Sequence, residues 1–222
     1  MLQAGTMLLF AMVMAGRSAT AAVVSSDFST DVEGWTKTAA TVFQQQAAGG
    51  NPDGFLFIDN SEGPIELIFA PAKFRGDLSA FDGGTLSFDG NMLGTGGGDF
   101  FGPSDYGTVQ ISGPGGAATL DLVPGIHSGA GGGNPPTNQW TTFSASFDAA
   151  TWGMSQLQWI ALLSNVTEIS LSVEALFGAE IQGIDNFKLV SATEVPMPVT
   201  GVLVAVGVVG MGIARWGRRS VR

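Results

Sequence analysis

Between residues 65 and 189, apolar and polar positions repeatedly alternate with period two. The runs are 65–69, 85–88, 108–111, 119–122, 142–147, 168–173 and 186–189. Each puts its apolar side chains on one face and Ser, Thr, Gln or acids on the other, as antiparallel strands with one buried face require. Residues 55–58, Phe-Leu-Phe-Ile, read as a further strand. Turn formers separate the runs at 49–54, 82–84, 113–116 and 129–136. Many short strands with regular turns predict an all-β sandwich. One segment breaks the rhythm: 152–163 predicts a short helix. Ser155 and Gln158 have capping-box spacing there, and Leu157, Ile160 and Leu163 form its predicted inner face.

Two segments lie outside this pattern. Residues 7–15 are an apolar run too short to span a bilayer. Small residues follow, with Ala19 and Ala21 spaced as in a cleavage site, so 1–22 predicts a secretory signal peptide and 23–194 the exported domain. At the other end Val195, Pro196, Met197 and Pro198 lead into the uncharged run 199–214, and Arg215, Arg218, Arg219 and Arg222 follow it. As a helix that run rises about 24 Å at 1.5 Å per residue, short of the ~30 Å hydrocarbon core. The arginines belong on the cytoplasmic side by the positive-inside rule. This layout over 195–222 resembles the PEP-CTERM sorting tail of exopolysaccharide-producing Gram-negative bacteria, with Met197 in place of the usual Glu. The resemblance implies an exosortase-type membrane enzyme as a partner. It also implies a precursor held in the inner membrane by the C-terminal helix, and delivery to the periplasm, cell surface or extracellular matrix. The alternative is that 199–214 stays in the membrane as an ordinary anchor.

Charge narrows the partners. Residues 23–194 hold four cations and all nineteen acids, a net charge of −15. Nucleic acid is repelled by such a surface, whereas neutral polysaccharide or a divalent cation is compatible with it. With no cysteine in 222 residues, zinc–thiolate, thiol and redox chemistry are excluded. His127 is the single histidine, which rules out a multi-histidine metal site.

A second resemblance covers most of the domain. Ile68-Phe69-Ala70-Pro71-Ala72-Lys73-Phe74-Arg75-Gly76-Asp77, followed by Leu86-Ser87-Phe88, is similar to the laminin B (laminin domain IV) module. Leu162-Leu163-Ser164-Asn165-Val166-Thr167 resembles its helix-to-strand junction, and Gly183-Ile184-Asp185-Asn186-Phe187 its closing strand. The family implies a jelly-roll sandwich related to galactose-binding and carbohydrate-binding modules, and no enzymatic activity.

Jelly rolls of this shape often hold a structural calcium where the first strand meets the last. Asp27, Asp31, Glu33 and Asp185 supply hard oxygen ligands for it. For a sugar, Phe100, Phe101 and Tyr106 offer an aromatic platform, with Asp99 and Asp105 as hydrogen-bonding acids. The predicted function is a non-catalytic surface or matrix protein that binds extracellular polysaccharide or a surface protein. The alternative is a carbohydrate-active hydrolase on a sandwich scaffold, which needs two acids at a set separation across a cleft.

Overall fold

The strand β11 (Glu180–Val190) organises the molecule. The computed structural model describes residues 20–38, 40–60, 66–94, 105–123, 137–175 and 179–192, and Ala21–Thr193 form one compact unit. Before β11 come β1 (Val23–Ser26), β2 (Thr36–Lys37), β3 (Val42–Gly50), β4 (Asp53–Asn60), β5 (Leu67–Phe69) and β6 (Gly84–Gly94). Then follow β7 (Thr108–Gly113), β8 (Gly116–Asp121), β9 (Thr141–Phe147), the helix α1 (Gln156–Leu163) and β10 (Glu168–Ser172). The first sheet has the order β3-β4-β11-β6-β9, with β1 also on β11; the second is β2-β5-β10-β7-β8. All named pairings are antiparallel. The chain is thus an all-β sandwich of two antiparallel sheets with one short helix.

The period-two pattern dictates this arrangement. Val109, Ile111, Ile169 and Leu171 of the second sheet meet Leu56, Ile58, Leu86, Phe88 and Leu189 of the first in one apolar core. At one end Phe187 packs edge-on against Trp35 and Phe74, with ring centroids 4.9 and 5.1 Å away. The Trp35 indole N–H stays satisfied in that core by donating to Ser26 Oγ at 2.9 Å.

The helix is capped where the sequence predicts, at Ser155, and so starts at Gln156 rather than at 152. Ser155 caps it and forms the reciprocal capping box with Gln158. Its inner face is different: Trp159, Leu162 and Leu163 are buried, while Leu157 is 80% and Ile160 50% exposed. Trp159 takes over because it packs on Phe147 and Trp152 at 5.0 and 5.7 Å and donates its N–H to Asp82 Oδ1 at 2.8 Å. With only eight residues the helix buries little more than one turn's face, and the largest side chain rotates that face away from Leu157 and Ile160.

Along one edge β11 pairs with β6. Along the other it pairs first with β4, through Glu180–Ile184, and then with β1, through Phe187–Val190. Between those partners the register with β6 shifts, from Asp185 to Lys188. Asn186 sits there at φ +48°, a left-handed conformation that Asn tolerates better than most residues. That irregularity leaves a gap in the edge of β11, and the β3–β4 turn fills it.

The N-terminal run 7–15, the Pro-x-Pro, the run 199–214 and the terminal arginines lie outside the described residues. Among the described residues no helix is long and apolar enough to cross a membrane.

Candidate functional site

Residues of the first sheet that alternate away from the core form its outer face. Phe55 and Phe57 come from β4, Gly183 and Asp185 from β11, and Ser87, Asp89 and Asn91 from β6. Gln44 and Gln46 of β3 and Thr142 and Ser144 of β9 flank them. Polar residues are ordinary on an outer face, but Ser87, Asp89, Asn91 and Asp185 are buried. Two segments fold over them.

The first is the β3–β4 turn. Asn51 donates its backbone N–H to Asp185 Oδ2 at 2.7 Å and its side-chain amide to Asp89 Oδ2 at 3.0 Å. From the β11 irregularity, Asn186 donates its amide to the same Asp89 oxygen at 2.8 Å and to the Asn51 carbonyl. Its backbone N–H goes to Asp185 Oδ1 at 2.7 Å. Asp89 and Asp185 are direct partners across β6 and β11, so two acids share one spot and amide donors hold them there. Burial pushes the Asp185 carboxyl up to about 6. The two backbone N–H donors oppose that rise, and the charges of Asp89 and Asp27 add to it.

The second covering segment leads into β9. Asn138 donates its N–H to the Met92 carbonyl and Gln139 its N–H to Asn91 Oδ1, both at 2.8 Å. The Trp140 indole N–H then reaches the Gly49 carbonyl at 2.8 Å. The Trp140 ring lies edge-on to Phe55 at 5.4 Å, and Phe57 continues the strip 6.4 Å beyond Phe55. A Cβ on Gly183 would stand 2.7 Å from the Trp140 ring, so glycine lets the indole lie this close to β11. Trp140 and Phe57 are half-exposed, and Gln44, Thr142 and Ser144 beside them are exposed. The result is a rigid aromatic strip rimmed by amides and hydroxyls.

The expected calcium ligands are committed elsewhere. Glu33 Oε1 accepts the N–H groups of Asp27 and Phe28, at 2.9 and 2.7 Å, and its other oxygen pairs with Lys73. Asp27 and Asp31 each close a local turn, accepting from Ser29 and Glu33 at 3.0 and 2.6 Å. Both oxygens of Asp185 carry N–H donors, which point positive charge at the place a cation needs. Among the described residues no group of three or more His, Cys, Asp or Glu side chains is placed to hold a metal ion. Asp27, Asp31 and Glu33 serve local turns and the Lys73 pair, and Asp185 serves the β3–β4 turn.

Of the expected sugar platform, Asp99, Phe100 and Phe101 lie outside the described residues, as does His127. Asp105 is exposed, but Tyr106 is fully buried against Phe88 and Phe143. It is core, not platform. Burial, with the charge of Glu180, pushes its phenol well above the ordinary range. Trp140 and Asn51 escaped sequence reasoning as site residues, and Asn186 was read, with Asp185, as a source of oxygen ligands rather than as an amide donor. One signal was available: Ser87, Asp89 and Asn91 continue the polar phase of β6 without a break, which marks one face as polar over the five residues 87–91.

No family model matches the chain, and no curated protein matches its sequence. Solved structures do. The L4b domain of human laminin alpha-2 is similar at 14% identity and a TM-score of 0.44, over 61% of this chain and 80% of that one. The family 11 carbohydrate-binding module of the cellulase Lic26A-Cel5E of Clostridium thermocellum is similar at 14% identity and a TM-score of 0.46, over 80% of this chain and 99% of that one. An exo-beta-agarase reaches a TM-score of 0.50 at 17% identity, over 73% of this chain. The match spans about a quarter of the agarase chain, 24%. At such identities the likeness is one of fold.

Proposed function

We propose that this domain is a non-catalytic binding module of an exported protein, and that the outer face of the first sheet takes a polysaccharide chain. The observation that carries this reading is the pair of half-exposed rings Trp140 and Phe57, joined through the buried Phe55, beside Gln44, Thr142 and Ser144. A sugar ring has an apolar face of C–H groups and a rim of hydroxyls, and an aromatic strip flanked by amides and hydroxyls complements both. A net charge of −15 over residues 23–194 favours an uncharged chain over an acidic one. The sorting-type tail places that activity outside the inner membrane, where such polymers accumulate, and an exosortase-type enzyme processes it.

A hydrolase is the second reading, and the facing carboxylates of Asp89 and Asp185 favour it. Two facing carboxyls, one with its pKa raised by burial, are a pattern that catalysis uses. Yet both are buried, at 4% and 1% exposure, under Asn51, and amide donors bond Asp89 Oδ2 and both oxygens of Asp185. They hold the turn in place. Binding of the native chain and of Trp140→Ala to a panel of neutral and acidic polysaccharides tests the proposal. Retention on neutral polymers that Trp140→Ala loses supports it. Retention that survives the substitution, or release of reducing sugar that Asp185→Asn abolishes, sinks it.

A further inference from the structure

Asp89 and Asn91 point outward from β6 and yet are buried, while Thr142 and Ser144 on the neighbouring strand β9 are exposed. A polar side chain can be buried without penalty only where its hydrogen bonds are made. Each of these two makes them to a different covering segment. Asn91 Oδ1 accepts the Gln139 N–H at 2.8 Å, which fixes the chain one residue ahead of Trp140. The neighbouring Met92 carbonyl takes the Asn138 N–H, also at 2.8 Å. Asp89 Oδ2 accepts the Asn51 amide at 3.0 Å, and its cross-strand partner Asp185 takes the Asn51 backbone N–H at 2.7 Å. The turn sits close on that acid pair. A Cβ on Gly50 would stand 2.9 Å from Asp185 Oδ2 and 2.2 Å from the Gly54 carbonyl oxygen.

The two covering segments meet at the ring. The Trp140 indole N–H donates to the Gly49 carbonyl at 2.8 Å, across 91 residues of sequence. Gly49 stands two residues before Asn51, and Gln139 one residue before Trp140, so each end of that bond is anchored on the buried polar row. A half-exposed indole that is free to turn must be ordered when a ligand stacks on it, and that ordering weakens binding. An indole held from both sides is ordered beforehand.

We propose that Asp89, Asn91 and Asp185 are positioning residues for the polysaccharide face, setting where the Trp140 ring stands without touching the sugar. Asn91 acts through residues 138–140, and the acid pair acts through residues 49–51. The proposal rests on the reading of that face given above. It adds that the affinity of an exposed ring is governed by a polar row buried beneath it.

Nitrogen-15 spectra of the full chain read the ring directly, its indole N–H being identified by its loss in Trp140→Phe. The test variant is Asn51→Ala. Asn51 is exposed, its backbone N–H to Asp185 remains, and Asp89 keeps the Asn186 amide at 2.8 Å. The Trp140 indole N–H should exchange with solvent about fivefold faster or more. Those of Trp35, Trp152 and Trp159, bonded to Ser26, Ser146 and Asp82, should keep their native rates. Acceleration of all four together, or of none, overturns the proposal, because the row would then support the fold and not the ring. Affinity electrophoresis in gels cast with neutral glucan, xylan or galactan reads the consequence. Asn51→Ala should bind the retarding polymer about fivefold more weakly, and should lose nothing further once Trp140→Phe has removed the indole donor. The same loss with and without that donor overturns the proposal. A native chain that none of these polymers retards removes the polysaccharide reading of the face, and the indole exchange rates then decide by themselves whether the row holds the ring.

Discussion

Gly183→Ala is the sharpest single perturbation of the proposed binding face, because it adds one methyl beneath Trp140 and removes nothing. Gly183 is not at positive φ, so alanine fits the backbone of β11. On strand preference alone the change stabilises by roughly 0.5–1 kcal/mol. The methyl, however, would meet Trp140 Cη2 at 2.7 Å and the Phe55 ring at 3.1 Å. Carbon atoms rest about 3.5–4.0 Å apart, so the indole must move by roughly 1 Å or swing away. Swinging away gives up the indole hydrogen bond to Gly49, worth about 0.5–1.5 kcal/mol net. It also gives up the edge-on contact with Phe55, worth a further ~0.5–1.5 kcal/mol. The net expectation is a loss of roughly 0.5–2 kcal/mol, or about 2–4 °C in Tm for each kcal/mol at this chain length. Urea denaturation should be run as a double-mutant cycle with Trp140→Ala. With the indole absent, Gly183→Ala should cost nothing or stabilise. An equal cost in both backgrounds would refute the idea that glycine is there to admit the ring.

Other predictions follow from the same contacts. Asn186→Ala removes both side-chain donations, to Asp89 and to Asn51, and should cost about 1–3 kcal/mol by denaturant titration. Asn186→Gly, which keeps the left-handed backbone available, should lose less than Asn186→Ala; the reverse order would show that the left-handed backbone is not what matters. On α1, Leu162→Ala should cost roughly 2–5 kcal/mol and Leu157→Ala within about 0.5 kcal/mol. Comparable costs would restore the inner face that periodicity suggested. Ser155→Ala should cost about 1 kcal/mol through loss of the capping box, measured the same way.

Strands with one buried face were legible because period-two alternation is imposed by burial itself. Thr141–Phe147 and Thr108–Gly113 lie where alternation put them. The strand β3 was not legible. Its run Gln44-Gln45-Gln46-Ala47-Ala48 lies at the edge of the sheet with little to bury, so pairing with β4 decides its conformation and hydrophobic pattern does not. Isolated short strands such as Thr36–Lys37 depend wholly on the partner strand. The proposed binding face was harder still. Asp185 was singled out for its oxygens, but which donors reach them depends on the β3–β4 turn arriving from more than 130 residues away in sequence, with Asn51 bonded to Asp185 at |i−j| 134. Tyr106 shows the same limit from the other side: a Gly-flanked loop tyrosine looks exposed until Phe88 and Phe143 close over it.

Binding of a neutral polysaccharide on the outer face of the first sheet is tested most directly by mapping amide and indole chemical shifts while a neutral oligosaccharide that the domain retains is titrated in. Saturable shifts should concentrate at the Trp140 indole N–H, Gln44, Gln46, Thr142 and Ser144, and should leave Gln110 and Thr119 on the second sheet unmoved. Shifts confined to the second sheet, or none for any neutral chain, would contradict that placement.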